Sequence, residues 1–239
     1  MRLFYLIIFY LILNVVKSQS FEKGIEYYKS KDFKNAIIQW KDIVNQGKAG
    51  EAVYFNLANA YCETKEYPEA IYYYNKVLRI NPQTMDAKFN LKIAQSEGGI
   101  EEIDLPGFQF EQSIKNIVNV LPSSFFLLGY FILLMCGIFL WKIDTFPLSK
   151  LFSKILLSIA FLFLVCSFLQ EYYRTSRNEA ILMTETGLYL SPDEASESKS
   201  SLRAGEKLFI MDQIKDWSKV QTSTYEVGWI NQLKYRILN

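Results

Sequence analysis

Histidine is absent from the whole chain. Without an imidazole there is no Ser-His-acid triad, no Cys-His dyad and no histidine ligand for the usual zinc sites, which excludes several hydrolase and metalloenzyme classes. Cysteine is scarce: Cys62, Cys136 and Cys166 stand far apart, two of them inside long apolar runs. They build neither a disulfide framework nor a Cys-x-x-Cys metal pattern. A surplus of either charge is also missing, with Lys+Arg 26 against Asp+Glu 25. There is no basic footprint for nucleic acid and no acidic tail. The acidic side chains are scattered along helix surfaces rather than grouped as a catalytic cleft would group them. No catalytic residue, metal or cofactor is assigned, and the chain is not read as an enzyme.

What the chain has in abundance is apolar length. Two runs, 121-LPSSFFLLGYFILLMCGIFLW-141 and 155-ILLSIAFLFLVCSFL-169, flank a short basic stretch. A membrane span needs about 20 mostly apolar residues, and the first run, without an ionisable side chain from Phe125 to Trp141, meets that requirement. The second reaches it when Leu151, Phe152 and Ser153 join and Lys154 snorkels toward the headgroups. The spacing predicts transmembrane helices over 122–142 and 151–171, joined by a loop over 143–150. Trp141, Tyr172 and Tyr173 stand where interfacial aromatics are expected.

Residues 1–18 combine Arg2, an apolar run from Leu3 to Val16 broken by Asn14, and small or modest side chains at Val16 and Ser18, the pattern of a secretory signal peptide. An uncleaved anchor is the alternative. Either exports the chain from Gln19 onward, so the first span runs inward and the second outward. The loop with Lys142, Lys150 and Lys154 against Asp144 is then cytoplasmic, and both large flanking regions are expected outside the cytoplasm.

The first flanking region repeats itself. Aligning 24-GIEYYKSKDFKNAIIQWKDI-43 with 58-ANAYCETKEYPEAIYYYNKV-77 pairs Gly24 with Ala58, Tyr27 with Tyr61, Phe33 with Tyr67, Ala36 with Ala70 and Trp40 with Tyr74, each pair at the same offset. Small residues at the crossing of antiparallel helices let the backbones approach, and the aromatics fill the space around them. With that constant offset of about 34 residues, and with Asn81-Pro82 closing the second unit, the segment 19–97 resembles the tetratricopeptide repeat family. The units are read over about 20–48 and 51–82, and 84–97 as a capping helix, because Leu91 keeps register with Leu57 while Lys92 replaces the small residue. So short an array is expected to lean on a partner or on the membrane. The resemblance implies a concave groove lined by the first helix of each unit, holding an extended peptide or a partner helix. By register, this assigns Phe21, Tyr28, Phe55, Asn59, Cys62 and Phe89 to a partner-binding groove. Asn59 is either a clamp on a peptide backbone or a plain solvated residue. No Lys/Arg cluster lines these positions, so apolar or aromatic side chains are the expected cargo.

Residues 98–121 read as a linker. Phe110, Ile114, Ile117, Val118 and Leu121 recur at helical spacing, fitting a helix lying in the membrane interface or a continuation of the first span. From Glu179 the period becomes strand-like, in five short runs, 179-EAILMT-184, 188-LYLS-191, 207-KLFIM-211, 217-WSKVQ-221 and 226-EVGWI-230. Asp193 to Ser201 is read as a surface loop. The Trp217-Ser218-Lys219-Val220 and Gly228-Trp229-Ile230 pair makes 178–239 similar to the bacterial SH3-like domain. That similarity implies a small barrel with Val220 and Ile230 inside and Gly228 at a close strand crossing. Tyr189, Trp217 and Trp229 are candidates for a ligand shelf. Domains of this type bind peptidoglycan in some proteins and act as protein adaptors in others.

The expected fold class is a multi-domain membrane protein: an all-α tetratricopeptide array, a two-helix transmembrane hairpin and a small all-β SH3-like barrel. In this order the chain resembles the BatE family of the bacterial aerotolerance (Bat) operon. The resemblance implies an inner-membrane protein of a Gram-negative bacterium with both soluble regions periplasmic. Its partners would be other Bat proteins carrying von Willebrand A-type domains, with membrane lipid and, through the barrel, peptidoglycan as further contacts. The function so implied is a membrane-anchored scaffold in a stress-resistance complex. The alternative is a wall-binding sensor.

Overall fold

The structure, a computed structural model, describes residues 20–100, 123–142, 148–175 and 178–238. The expected signal segment 1–18 and the expected interfacial helix near 108–121 lie outside the described residues.

Five helices form an array: α1 (20–29), α2 (Phe33–Asn45), α3 (Glu51–Glu63), α4 (Tyr67–Ile80) and α5 (Met85–Glu97). Local chemistry sets their ends. The Asp32 carboxylate accepts from the Asn35 amide at 3.2 Å and caps α2. Pro68 occupies the first turn of α4, where its missing N–H costs nothing. Pro82, just past the Asn81 C-cap, stops α4, and Glu51 at the start of α3 accepts from the Thr84 hydroxyl at 2.6 Å, fixing the next turn. The core of the array holds Ala36, Trp40, Leu57, Ala58, Ala60, Ala70, Tyr74 and Val77, each almost fully buried. A methyl group on Gly24 would fall on the Trp40 indole, so the expected small-residue crossing is present.

Two further helices, α6 (Ser123–Lys142) and α7 (Ser149–Thr175), pack against each other as a separate hairpin. Each is long and apolar enough to cross a membrane, with only 6% and 11% of the respective spans buried within the protein. A core helix of a soluble protein would be mostly covered. Contact between the pair is made through small residues: Gly129 faces Phe163 and Gly137 faces Leu157, with room for no side chain. Ser153 satisfies its buried hydroxyl by donating to the Gly137 carbonyl at 2.7 Å. The second helix extends beyond the expected 151–171 at both ends, and the expected loop is correspondingly shorter, since Ser149 and Lys150 are already helical.

The C-terminal region is a seven-stranded antiparallel sheet: β1 (Glu179–Leu182), β2 (Thr186–Tyr189), β3 (Ser198–Leu202), β4 (Lys207–Ile214), β5 (Trp217–Thr222), β6 (Val227–Asn231) and β7 (Tyr235–Ile237). The strand order is β3-β2-β6-β5-β4-β1-β7. All five expected strands are present, and two more join them. Part of the expected surface loop is strand β3, an edge strand whose exposed Ser and Lys side chains carry no alternation to read. Strand β7 is only three residues long. Val220 and Ile230 are fully buried, and a side chain on Gly228 would strike Leu188 Cγ at 2.6 Å and the Tyr189 carbonyl at 2.8 Å.

The helical array and the sheet form one compact unit, although the hairpin separates them in sequence. Strand β1 is buried along its whole length. Ala180 and Leu182 enter the core of the sheet, while Ile181, with Leu238, belongs to the core of the helices. The array therefore leans on its own C-terminal sheet.

Replacing Gly24 or Gly228 with valine is expected to destabilise this unit by roughly 1–3 kcal/mol through overpacking. Lys41→Ala, at an exposed position of α2, serves as the neutral control. Thermal unfolding of the detergent-solubilised chain, followed by near-ultraviolet circular dichroism, measures both.

Candidate partner-binding faces

The register of the repeats places Phe21 on α1, Phe55 on α3 and Phe89 on α5 at equivalent positions, one repeat period apart. Their surroundings differ. Phe21 leans on Trp40 with ring centroids 6.5 Å apart, and Phe55 meets Tyr74 edge-on at 6.1 Å; both are half-buried. Phe89 is 67% exposed, and one turn to either side Met85 and Ile93 are exposed as well. The resulting apolar stripe on the last helix is the feature that sequence reading missed. Its one-turn spacing was legible, but only the structure shows that nothing in the described residues covers it.

Beside this row runs a polar strip. Asn59 accepts through Oδ1 from the Tyr74 hydroxyl at 2.6 Å and from Asn90 Nδ2 at 3.2 Å. It is thus an anchored side chain and not a plain solvated residue, and Asn90 is a second carboxamide that sequence reasoning did not single out. Tyr28 packs on Phe33 at 5.2 Å and on Trp40 at 6.1 Å. The Cys62 thiol is half-buried beside Tyr74, and burial pushes its pKa up, so the unreactive thiol form dominates at neutral pH. Of the six expected groove residues, five share half-buried positions on α1 and α3, and Phe89 stands exposed on α5.

Behind this face lies a dense tyrosine cluster. Tyr73 stacks between Tyr54 at 5.9 Å and Tyr61 at 5.7 Å, and Tyr72 meets it edge-on at 5.1 Å. Burial pushes the Tyr73 hydroxyl up to about 12 and raises those of Tyr61, Tyr72 and Tyr74 as well. Arg236 from β7 lies over the Tyr72 ring at 4.5 Å and grips Glu69 with both guanidinium nitrogens, at 2.8 Å and 2.6 Å. Burial works against the Arg236 charge, but the Glu69 carboxylate outweighs it and the guanidinium is held more firmly protonated.

On the sheet, the three expected shelf residues share one outward face. Trp217 and Trp229 alternate with the buried Ser218, Val220 and Ile230, and Tyr189 pairs with Trp229 across β2 and β6. Tyr189 meets Trp217 edge-on at 5.6 Å. All three rings are half-exposed. Among the described residues no group of His, Cys, Asp or Glu is arranged to hold a metal ion.

Paired antiparallel helices recurring at a period of about 34 residues define a class of helical repeat protein whose established use is binding other proteins. The comparison with known families agrees: residues 52–84 match the tetratricopeptide repeat. No curated protein matches the chain.

The tyrosine cluster predicts an alkaline limit to stability. A tyrosine whose folded pKa exceeds its free value near 10 keeps its proton longer in the folded state, so its stabilising effect is complete below pH 10 and is lost as pH rises toward the folded value. The melting temperature should hold constant from pH 7 to 9 and fall steadily above pH 10. Tyrosinate absorbance should lag that of the unfolded chain over the same range.

Proposed function

We propose that this chain is a membrane-anchored periplasmic scaffold. In this reading the helical array holds an apolar or aromatic segment of a partner protein, the hairpin α6–α7 fixes the unit to the inner membrane, and the sheet is an SH3-like adaptor. The observation that carries it is the row Phe21, Phe55, Phe89, ending in the exposed stripe of Met85, Phe89 and Ile93. A monomeric soluble surface seldom presents aligned large apolar side chains without a use for them. The Asn59 amide, oriented through its oxygen by Tyr74 and Asn90, adds a donor for a partner's backbone carbonyl. The tetratricopeptide match over 52–84 supports protein partners. The resemblance of the whole architecture to BatE proteins makes a Bat-type complex, with membrane partners bearing von Willebrand A-type domains, the leading context.

A photo-crosslinking amino acid at Phe89 in the full-length, membrane-embedded chain tests this. Adducts with a membrane protein carrying such a domain are expected, and Met85→Ala with Phe55→Ala should weaken a second crosslink at Ile93 by tenfold or more, as loss of central apolar anchors does. The same products from a control probe at the exposed Lys23, or none at all, would overturn the reading.

A second reading rests on the shared outward face of Tyr189, Trp217 and Trp229. Half-exposed aromatic rings grouped on one surface suit sugar rings, and peptidoglycan is the glycan of that compartment. The full chain in detergent should then co-sediment with peptidoglycan, and Trp217→Ala should abolish this. Unchanged sedimentation of the variant would leave the sheet as an adaptor alone.

A further inference from the structure

The turns that follow α1, α3 and α5 are the same turn. Lys31 (φ 62°), Lys65 (φ 61°) and Gly99 (φ 69°) are all left-handed and stand at the same register position of successive units. In each, the left-handed residue donates to the carbonyl three residues back: Lys31 to Tyr28 at 3.0 Å, Lys65 to Cys62 at 3.0 Å and Gly99 to Ser96 at 3.1 Å. In each, the next amide reaches five residues back: Asp32 to Tyr27 at 2.8 Å, Glu66 to Tyr61 at 2.9 Å and Ile100 to Gln95 at 2.8 Å. The first two turns launch α2 and α4. After the third, the described residues end at Ile100, so among them the third unit has its first helix and its turn.

What stands against the third turn is the C-terminal sheet. Arg203 Nη1 donates to the Gly99 carbonyl at 2.8 Å. Gly205, at φ 101°, sits so close that a side chain there would meet Ile71 Cδ1 at 2.9 Å and Ile100 Cγ1 at 3.3 Å. Along α4, the Tyr72 hydroxyl donates to the Ile237 carbonyl at 3.3 Å, Arg236 grips Glu69, and Ile181 and Leu238 are buried in the helical core. A stacked array needs its terminal unit covered. We propose that the sheet is the terminal cap of the array, covering its third turn and the outer side of α4.

The proposal constrains the membrane arrangement, whatever partner the array holds. The cap is encoded after both apolar helices and the array before them, so a chain that crosses the bilayer twice returns cap and array to the same side. An odd number of crossings would part them.

Leu238→Glu, which puts a charge into the helical core, tests the cap in the full-length chain by backbone hydrogen exchange in detergent. The α4 amides and those of Gly99 and Ile100 should exchange at least tenfold faster than in the parent. Exchange there within twofold of the parent would overturn the proposal, whether or not the sheet itself opens. As a second test, Lys23→Cys and Lys215→Cys are placed singly in a chain whose Cys62, Cys136 and Cys166 are changed to alanine. Both should react with a membrane-impermeant maleimide from the same side of sealed vesicles, and labelling from opposite sides would sink the idea.

Discussion

Strand β1 carries side chains into two cores at once, and much else in the protein depends on that. A strand presents alternate residues to opposite faces. In a half-solvated sheet one of those faces is polar, yet Glu179, Ala180, Ile181 and Leu182 are all buried. Ala180 and Leu182 fill the sheet, and Ile181 fills the helices. Even Glu179 is sheltered, its carboxylate 2.9 Å from Lys207 and 4.0 Å from Arg79 of α4. Because one strand serves both cores, the helices before the hairpin and the sheet after it are packed as one body.

The same economy explains the packing inside the array. Fully buried alanines at 36, 58, 60, 70, 87 and 94 bring the helices close, and the volume left at their flanks is taken by Trp40 and the tyrosines. Aromatic rings supply large buried area with few rotatable bonds. The tyrosines also bring hydroxyls, which need partners. Tyr74 finds Asn59 and Tyr72 finds the Ile237 carbonyl of the sheet. The polar strip beside the apolar row therefore follows from how the core is built, and it positions Asn59 without any ligand being present.

Most of the architecture was legible because its signals are periodic. The constant offset between the helical units, the two long apolar runs and the alternation of β5 each repeat often enough to stand above local noise. What escaped had no period of its own. Strand β3 is polar because it is an edge, and β7 is too short to alternate. The docking of β7 on α4 was hidden for a different reason: Glu69 and Arg236 are 167 residues apart, and each alone reads as an ordinary surface charge. The run Ala180-Ile181-Leu182-Met183 was a clue, since an unbroken apolar run marks a strand covered on both faces. As for the candidate partner-binding face, the sequence named its row of phenylalanines but not Asn90, whose bond to Asn59 appears only when α5 is laid against α3.

Which interaction holds the two halves together can be decided by magnitude. The Arg236–Glu69 pair is two-pronged, but its side chains are 38% and 22% exposed, and partly solvated ion pairs contribute only about 0–1 kcal/mol. Ile181 and Leu238 are essentially inaccessible, and burying an aliphatic side chain of that size is favourable by about 1.5–3 kcal/mol each. The apolar pair therefore supplies most of the attraction. The ion pair and the Tyr72 hydrogen bond, which join β7 to α4, and the Arg203 bond to Gly99, which joins the β3–β4 turn to the end of α5, supply direction, since each needs its donor and acceptor at a set distance. A sliding apolar contact alone would tolerate several registers. The polar groups narrow that choice, because each bond is made only where its own donor and acceptor meet.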